Sequence, residues 1–182
     1  MKTVLKPLLT ILLFAATLLT ARAQRTGGGF EWDKVVYGGG IFPSFSNFGT
    51  SFSANPFVGY KVTDKLVPGV MLQYQYTKLN SNATGSFPAT YQLVGVSPFV
   101  RYTVYNNFFA QAEYEFLNGS LEQKPFPKAS FSENNLLIGG GYISQFSNRS
   151  GIYAQVMYMP TWRGATSVYN SPWVFRIGFT IF

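Results

Sequence analysis

The residues best placed to do chemistry are two carboxylates, Glu113 and Glu115, separated by one residue. In a β-strand they point to the same face, with centres about 7 Å apart because each residue advances the strand by about 3.3 Å. This spacing is compatible with the acid–base pair of a glycosidase. However, the chain has no histidine and no cysteine, so the commonest general base, thiol nucleophiles and usual zinc ligands are missing. We therefore predict no enzymatic activity, no metal and no cofactor.

A structural role suits the same carboxylates better. If the chain forms a hairpin at Asn106-Asn107, Arg101 lies across from residues 111–113. We predict a buried ion-pair network of Arg101, Glu113 and Glu115. Arg176 would join this network if its side chain faces the lumen. A buried carboxylate without a cation costs several kcal/mol, about the penalty found for broken buried ion pairs.

Residues 1–23 have the pattern of a cleavable signal peptide. Two lysines precede an apolar run over residues 8–19, and Ala21-Arg22-Ala23 puts small residues at the positions that a signal peptidase reads. The run is shorter than the roughly 20 residues of a spanning helix, which disfavours a membrane anchor. Cleavage would leave residues 24–182 as one domain with a net charge of +4, a mild excess that does not predict nucleic-acid binding.

The composition favours a membrane over water. Charged residues make up 12% of the chain, against about 25% in soluble domains, while aromatic residues reach 18%. After residue 23 no apolar run is long enough for a transmembrane helix, and a closed β-barrel is the other structure that satisfies its backbone in hydrocarbon. The sequence thus predicts an all-β fold, an eight-stranded antiparallel transmembrane β-barrel with an up-and-down meander.

Eight segments of about ten residues or more carry the strand signature. They cover residues 32–42, 51–62, 66–78, 90–105, 108–118, 132–145, 152–162 and 172–182. Short turns alternate with longer polar connections, at 43–50, 79–89, 119–131 and 163–171, which should lie on the cell exterior. Both termini are then periplasmic.

Within several strands, apolar and polar residues alternate. Residues 108–116 place Ala110, Ala112 and Tyr114 on one face and Glu113 and Glu115 on the other. A lipocalin-like barrel would need charged rows outside, and the chain has too few charges. An exported β-sandwich is an open alternative. The glycine triplets at 38–40 and 139–141 fit bends or close contacts in a small barrel, because neither precedes the helix of a phosphate-binding loop.

The whole of residues 24–182 resembles the small eight-stranded outer-membrane β-barrel proteins, including OmpA-like transmembrane domains and OmpX-like barrels. The resemblance rests on the signal peptide, alternating strands such as Ser97-Pro98-Phe99-Val100-Arg101-Tyr102, and the closing segment 173–182. It implies that the terminal Phe182 is the signal read by the barrel-assembly machinery. In this chain Phe182 is one residue out of phase with the apolar row Phe175, Ile177, Phe179 and Ile181, so either a bulge lies nearby or Phe182 turns inward.

The remaining expectations concern the surface. Lys78, Lys124, Lys128 and Arg163 lie in or beside the outer loops, where they are candidate contacts for lipopolysaccharide phosphates, although ordinary solvated loop charge is the simpler interpretation. Trp162 and Trp173 are candidate interface anchors. We expect a monomer in the outer membrane, with a filled, non-catalytic lumen and a structural or surface-interaction role in envelope integrity or loop-mediated adhesion. A narrow channel or a transport barrel for a small or hydrophobic ligand is the alternative.

Overall fold

The computed structural model describes residues 30–80, 87–123, 125–164 and 167–182. The predicted signal peptide, residues 1–23, lies outside the described residues. The chain divides into two compact units, Met1–Asp33 and Lys34–Phe182. In the described part of the first unit, the rings of Phe30 and Trp32 meet edge to face at 4.8 Å. The second unit forms the barrel.

The described residues form one sheet of ten strand segments. They are β1 Val35–Gly39, β2 Ile41–Ser46, β3 Gly49–Ala54, β4 Phe57–Tyr60, β5 Leu66–Leu79, β6 Ala89–Tyr105, β7 Phe108–Gln123, β8 Ala129–Ser147, β9 Ser150–Tyr158 and β10 Trp173–Ile181. A 3-10 turn at Trp32–Lys34 precedes them. No described helix has the length and apolar character needed to cross a membrane.

The ten segments make eight barrel strands. The first barrel strand is interrupted at Gly40 between β1 and β2, and the second at Asn55 and Pro56 between β3 and β4. Consecutive strands pair antiparallel, and β1 closes the sheet against β10 with Gly38 opposite Thr180. The predicted fold, an all-β eight-stranded antiparallel barrel in meander order, is confirmed.

The two interruptions face each other across the first hairpin. Gly39 has φ = 140°, a conformation that side chains rarely allow, and a Cβ atom there would lie 2.6 Å from the Asn55 carbonyl oxygen. The Gly40 N–H donates to the Asn55 side chain at 2.7 Å, and the Asn55 N–H donates back to the Gly40 carbonyl at 3.0 Å. These contacts fix a bend in the wall at this point.

The connections differ between the two ends of the barrel. The short-turn end has its turns at residues 61–65, 106–107 and 148–149, and the loop end has its connections at 47–48, 80–88, 124–128 and 159–172. Two of the predicted loops are much shorter in the structure than the sequence indicated. Residues 43–50 are mostly β2 and β3 around a turn at Asn47 and Phe48, and residues 119–131 largely extend β7 and β8. Proline suggested a loop at Pro43, but it is tolerated in β2, an edge strand, where a missing N–H costs little.

The predicted alternation of side chains is confirmed in the wall. In β7, Ala110, Ala112 and Tyr114 are exposed on the outer face, whereas Glu113 and Glu115 are buried inside. In β9, Ile152, Ala154 and Val156 face outward while Tyr153 and Gln155 are buried. The barrel therefore has an apolar exterior and a partly polar interior, opposite to a soluble barrel.

The phase change at the end of the chain has a simple cause. The ladder between β9 and β10 is regular from Trp173 to Ile181, without a bulge. Beyond it, the Phe182 N–H donates to the Arg149 carbonyl at 2.8 Å, and the ring turns inward against the interior apolar cluster. The Lys61 ammonium lies 5.1 Å from the centre of the Phe182 ring. Of the two alternatives, the inward turn is the one observed.

Candidate functional site

The centre of the lumen is a buried ion-pair cluster. Arg176 of β10 donates from Nη1 to Glu113 Oε1 at 2.6 Å and from Nη2 to Glu115 Oε1 at 2.8 Å. Both carboxylates lie on the inner face of β7, because residues two apart in a strand share a face. All three side chains are almost completely buried. One guanidinium thus neutralises part of the charge of two neighbouring carboxylates, an arrangement suited to filling a low-dielectric interior.

Arg101 belongs to the same network but is held differently from the prediction. Its Nε donates to the Gln111 side chain at 2.9 Å, and Gln111 donates to Glu113 Oε2 at 2.9 Å. The link between Arg101 and the carboxylates is therefore an amide bridge, and the direct ion pairs are those of Arg176. The sequence placed Arg101 as the principal cation because the hairpin geometry was readable, whereas the inward face of the closing strand was not.

An aromatic cage surrounds the Arg101 guanidinium. Its Cζ lies within 6 Å of the centres of four rings, each from a different strand: Phe109 at 4.5 Å, Phe57 at 5.1 Å, Tyr153 at 5.4 Å and Phe99 at 5.7 Å. A cation over ring faces is stabilised by the ring quadrupoles, most strongly where water is excluded. The same rings belong to the apolar cluster that fills the short-turn end, with Val36, Met71 and Ile143.

Glu115 is also held from the loop end. Gln73 of β5 donates to its Oε1 at 2.6 Å and to the Ser97 hydroxyl at 2.8 Å. The Tyr169 hydroxyl, from the connection between β9 and β10, donates to the same carboxylate oxygen at 3.0 Å. Burial raises the pKa of the Tyr169 phenol, and the negative charge of Glu115 raises it further. The phenol therefore stays protonated and remains a donor.

The segment carrying Tyr169 is anchored in the barrel mouth. Glu133 of β8 accepts from the Ser167 hydroxyl and from the Val168 N–H, both at 2.7 Å. The Trp162 indole N–H donates to the Tyr169 carbonyl at 2.8 Å. Sequence reasoning missed Tyr169, Gln73 and Gln111. Both glutamines lie on the inner faces of their strands, in phase with Glu113 and Glu115, but nothing local in the sequence indicates that a loop residue contacts this network.

The predicted surface residues fall into three groups. Lys78, Lys128 and Arg163 are exposed at the loop end, while Lys124 lies outside the described residues. Trp173 is half exposed on the outer wall, beside the Tyr158 ring at 4.9 Å. The structure places Trp162 differently from the prediction, because its ring packs against the interior cluster of Leu137, Met157, Met159 and Val174.

A cavity of about 440 Å³ lies above the ion-pair cluster, toward the loop end. Its lining includes Arg176, Gln73, Gln75 and Tyr169 from the interior, together with Phe42 of β2 and Ile177 of β10. No group of acidic residues that would hold a metal ion occurs in the described ranges. The cavity is thus a mixed polar and apolar space beside a neutralised cluster.

The chain matches no protein-family model, and it has no significant match among curated proteins.

Proposed function

We propose that this protein is an outer-membrane β-barrel with a structural or surface-interaction role, in envelope integrity or loop-mediated adhesion. The observation that carries the proposal is the distribution of side chains in the wall, which is the reverse of that in a soluble barrel. Apolar side chains such as Val94, Val100 and Ile177 are 47–59% exposed on the outer face, while the charged row lies inside. In water this surface would be a very large apolar patch, but in a bilayer it is the expected lipid-facing band.

The interior supports a filled, non-catalytic lumen. Glu113 and Glu115 are held by one guanidinium and by neutral donors, with less than 3% of either residue exposed. At the short-turn end, the aromatic cluster around Arg101 occupies the cross-section that a solute would have to pass. Eight strands enclose a space that side chains can fill, so a wide pore is disfavoured.

The loop end supplies the surface for contact. Phe87 and Phe126 meet edge to face at 6.2 Å between neighbouring connections, and both rings are largely exposed. Lys78 and Lys128 remain candidate contacts for lipopolysaccharide phosphates. We also retain Phe182 as a recognition signal for the barrel-assembly machinery, and a monomer as the working oligomeric state.

The experiment is expression with the native N-terminus in a Gram-negative host, followed by fractionation and gel migration with and without boiling. A folded membrane barrel should appear in the outer-membrane fraction and migrate differently before and after boiling. Accumulation as a water-soluble protein with no heat-dependent shift would contradict the proposal. A deletion strain that becomes sensitive to detergent would favour envelope integrity over adhesion.

One observation favours a second candidate, a ligand-handling barrel for a hydrophobic molecule. The cavity at the loop end is bordered by the barrel seam, where the wall strands stop pairing. Uptake of a specific solute that is lost in the deletion strain would support this alternative.

A further inference from the structure

The barrel wall is hydrogen-bonded around its circumference only toward the short-turn end. The ladder between β1 and β10 contains Tyr37, Gly38 and Gly39 paired with Ile181, Thr180 and Phe179, and it stops there. Beyond this point β10 continues to Trp173 with β9 as its partner, and β2 pairs with β3. Among the described residues no ladder joins β2 to β10, so two strand edges face each other across a seam.

The bend at Gly39 and Gly40 produces this seam. The Gly40 N–H donates to the Asn55 side chain, and beyond Gly40 the first barrel strand continues as β2, which pairs with β3. A Cβ atom on Gly40 would lie 2.9 Å from the Ile177 carbonyl oxygen, which shows that the two edges are still close where the gap begins. Unpaired strand edges are costly in hydrocarbon, so an open seam in a membrane wall calls for an occupant or a function.

The cavity lies at this seam. Its lining contains Phe175 and Arg176, adjacent residues whose side chains point to opposite faces of β10. On the lumen side its lining includes Gln73, Gln75 and Tyr169. The cavity therefore extends from the unpaired edge of β10 into the interior of the barrel.

The chemistry of this space suits a hydrocarbon chain. Most of the lining surface is carbon, with Phe42 on the inner face of β2 and Phe175 and Ile177 on the outer face of β10. Among the described lining residues the one cation is Arg176, and it is already paired with Glu113 and Glu115, so it offers little to a phosphate group. The volume of about 440 Å³ is within the usual range of ligand pockets, roughly 300–1,000 Å³.

We propose that the seam between β2 and β10 admits one acyl chain of a bilayer lipid into the loop-end half of the lumen. The chain enters sideways and stops, because the aromatic cluster around Arg101 fills the barrel below. This inference rests on the proposed membrane location. It makes the loop end a lateral lipid-binding site and not a section of a channel.

The test uses the full-length mature protein folded into phosphatidylcholine vesicles that contain a lipid with a diazirine at the end of one acyl chain. After irradiation, labelled positions are mapped by mass spectrometry. Leu93 lines the cavity and is only 4% exposed, and Gln75 faces the lumen, so a lipid outside the wall should not reach them. We expect label on these two residues in addition to the outer face.

Two variants separate entry from incidental labelling. Ser53→Trp places a large ring in the cavity lining and should lower the Leu93 and Gln75 labels at least fivefold, whereas Thr50→Trp, exposed on the outer face of the same strand, should leave them unchanged. Because the chain has no cysteine, Ile41→Cys combined with Ile177→Cys can be joined after folding with a short bismaleimide. The joined protein should lose the interior label, and the unjoined double variant should retain it.

The outcomes are distinguishable. A barrel that inserts, shifts on boiling and is labelled only at outward-facing positions would overturn lateral entry and leave the proposed membrane location intact. Interior label that persists after the seam is joined would also overturn it, because the lipid would then have another route. Failure of the wild-type chain to insert into vesicles would overturn both proposals together.

Discussion

Two buried arginines, one in each half of the barrel, are stabilised in contrasting ways. In the short-turn half, Arg101 is enclosed by four aromatic rings and touches one neutral amide. In the loop half, Arg176 bridges two carboxylates that also accept bonds from Gln73 and Gln111. The first half has a continuous wall and a mostly apolar filling. The second has an open seam, a cavity and a mixed filling, in which the ion pairs lie beside the apolar cluster of Leu137, Met157, Met159 and Val174.

The comparison shows how wall and filling depend on each other. Where β1 pairs with β10, rings and methyl groups pack against a closed wall. Where the pairing stops, the filling includes a hydrogen-bonded network whose members contact one another across the lumen. We infer that the short-turn half provides rigidity, and that the loop half retains the space in which a ligand can be accommodated.

The substitution Arg176→Met tests most directly whether the ion pairs stabilise the loop half. The substitution leaves Glu113 and Glu115 buried without their cation, and we expect a loss of about 3–5 kcal/mol in the free energy of unfolding. Urea titration in detergent micelles measures it. The triple variant that adds Glu113→Gln and Glu115→Gln should regain most of the loss. A single variant as stable as wild type would show that the ion pair contributes no net stability.

Substitution of Arg101, in the short-turn half, should lower the free energy of unfolding by less than Arg176→Met does. Arg101→Ala removes four ring contacts and leaves a gap in the apolar cluster, for an expected loss of about 2–3 kcal/mol. Lys128→Ala, at an exposed position, should stay within about 0.5 kcal/mol of wild type. The same urea titration compares them, and equal midpoints for the two variants would rule out the aromatic cage as a stabilising feature.

A smaller effect is expected from the loop that enters the lumen. Tyr169→Phe deletes the hydroxyl that donates to Glu115 and keeps the ring, so the loss should be about 1.5 kcal/mol, the lower end for a bond to a charged group. Tyr158→Phe is the matched control, because Tyr158 is exposed on the outer wall. If both variants unfold at the same urea concentration, Tyr169 does not tie the loop to the cluster.

The last prediction concerns ion conductance. Because side chains fill the short-turn half, we expect no measurable ion flow through the barrel. In planar bilayers the wild-type barrel should show no stable conductance of porin size, because the cluster of Phe57, Phe99, Phe109 and Tyr153 closes the short-turn end. A porin reconstituted in the same bilayers serves as the positive control. A reproducible large conductance would mean that the two halves form one open passage.

Much of the fold was readable because period two is a local property. The alternation in β7 placed Glu113 and Glu115 inside without any knowledge of their neighbours. Prediction failed where tertiary context decides. Pro43 suggested a loop, but it lies in β2, whose free edge makes a missing N–H inexpensive.

The candidate site was harder to predict than the wall. The cage around Arg101 takes one ring from each of β4, β6, β7 and β9, so no stretch of sequence contains its pattern. The role of Arg176 depends on the phase of the closing strand, which the one-residue shift at Phe182 obscured. The seam follows from a glycine bend whose direction only the paired strands reveal.

The ion pairs of Arg176 also tie charge neutralisation to closure of the barrel. Arg176 lies on the last strand, 63 and 61 positions after the Glu113 and Glu115 that it pairs with. A sheet that lacks β10 therefore carries two uncompensated carboxylates on its inner face. The same strand that supplies the countercharge also pairs with β1 and closes the barrel. A strand without a cation at this depth leaves the carboxylates unpaired.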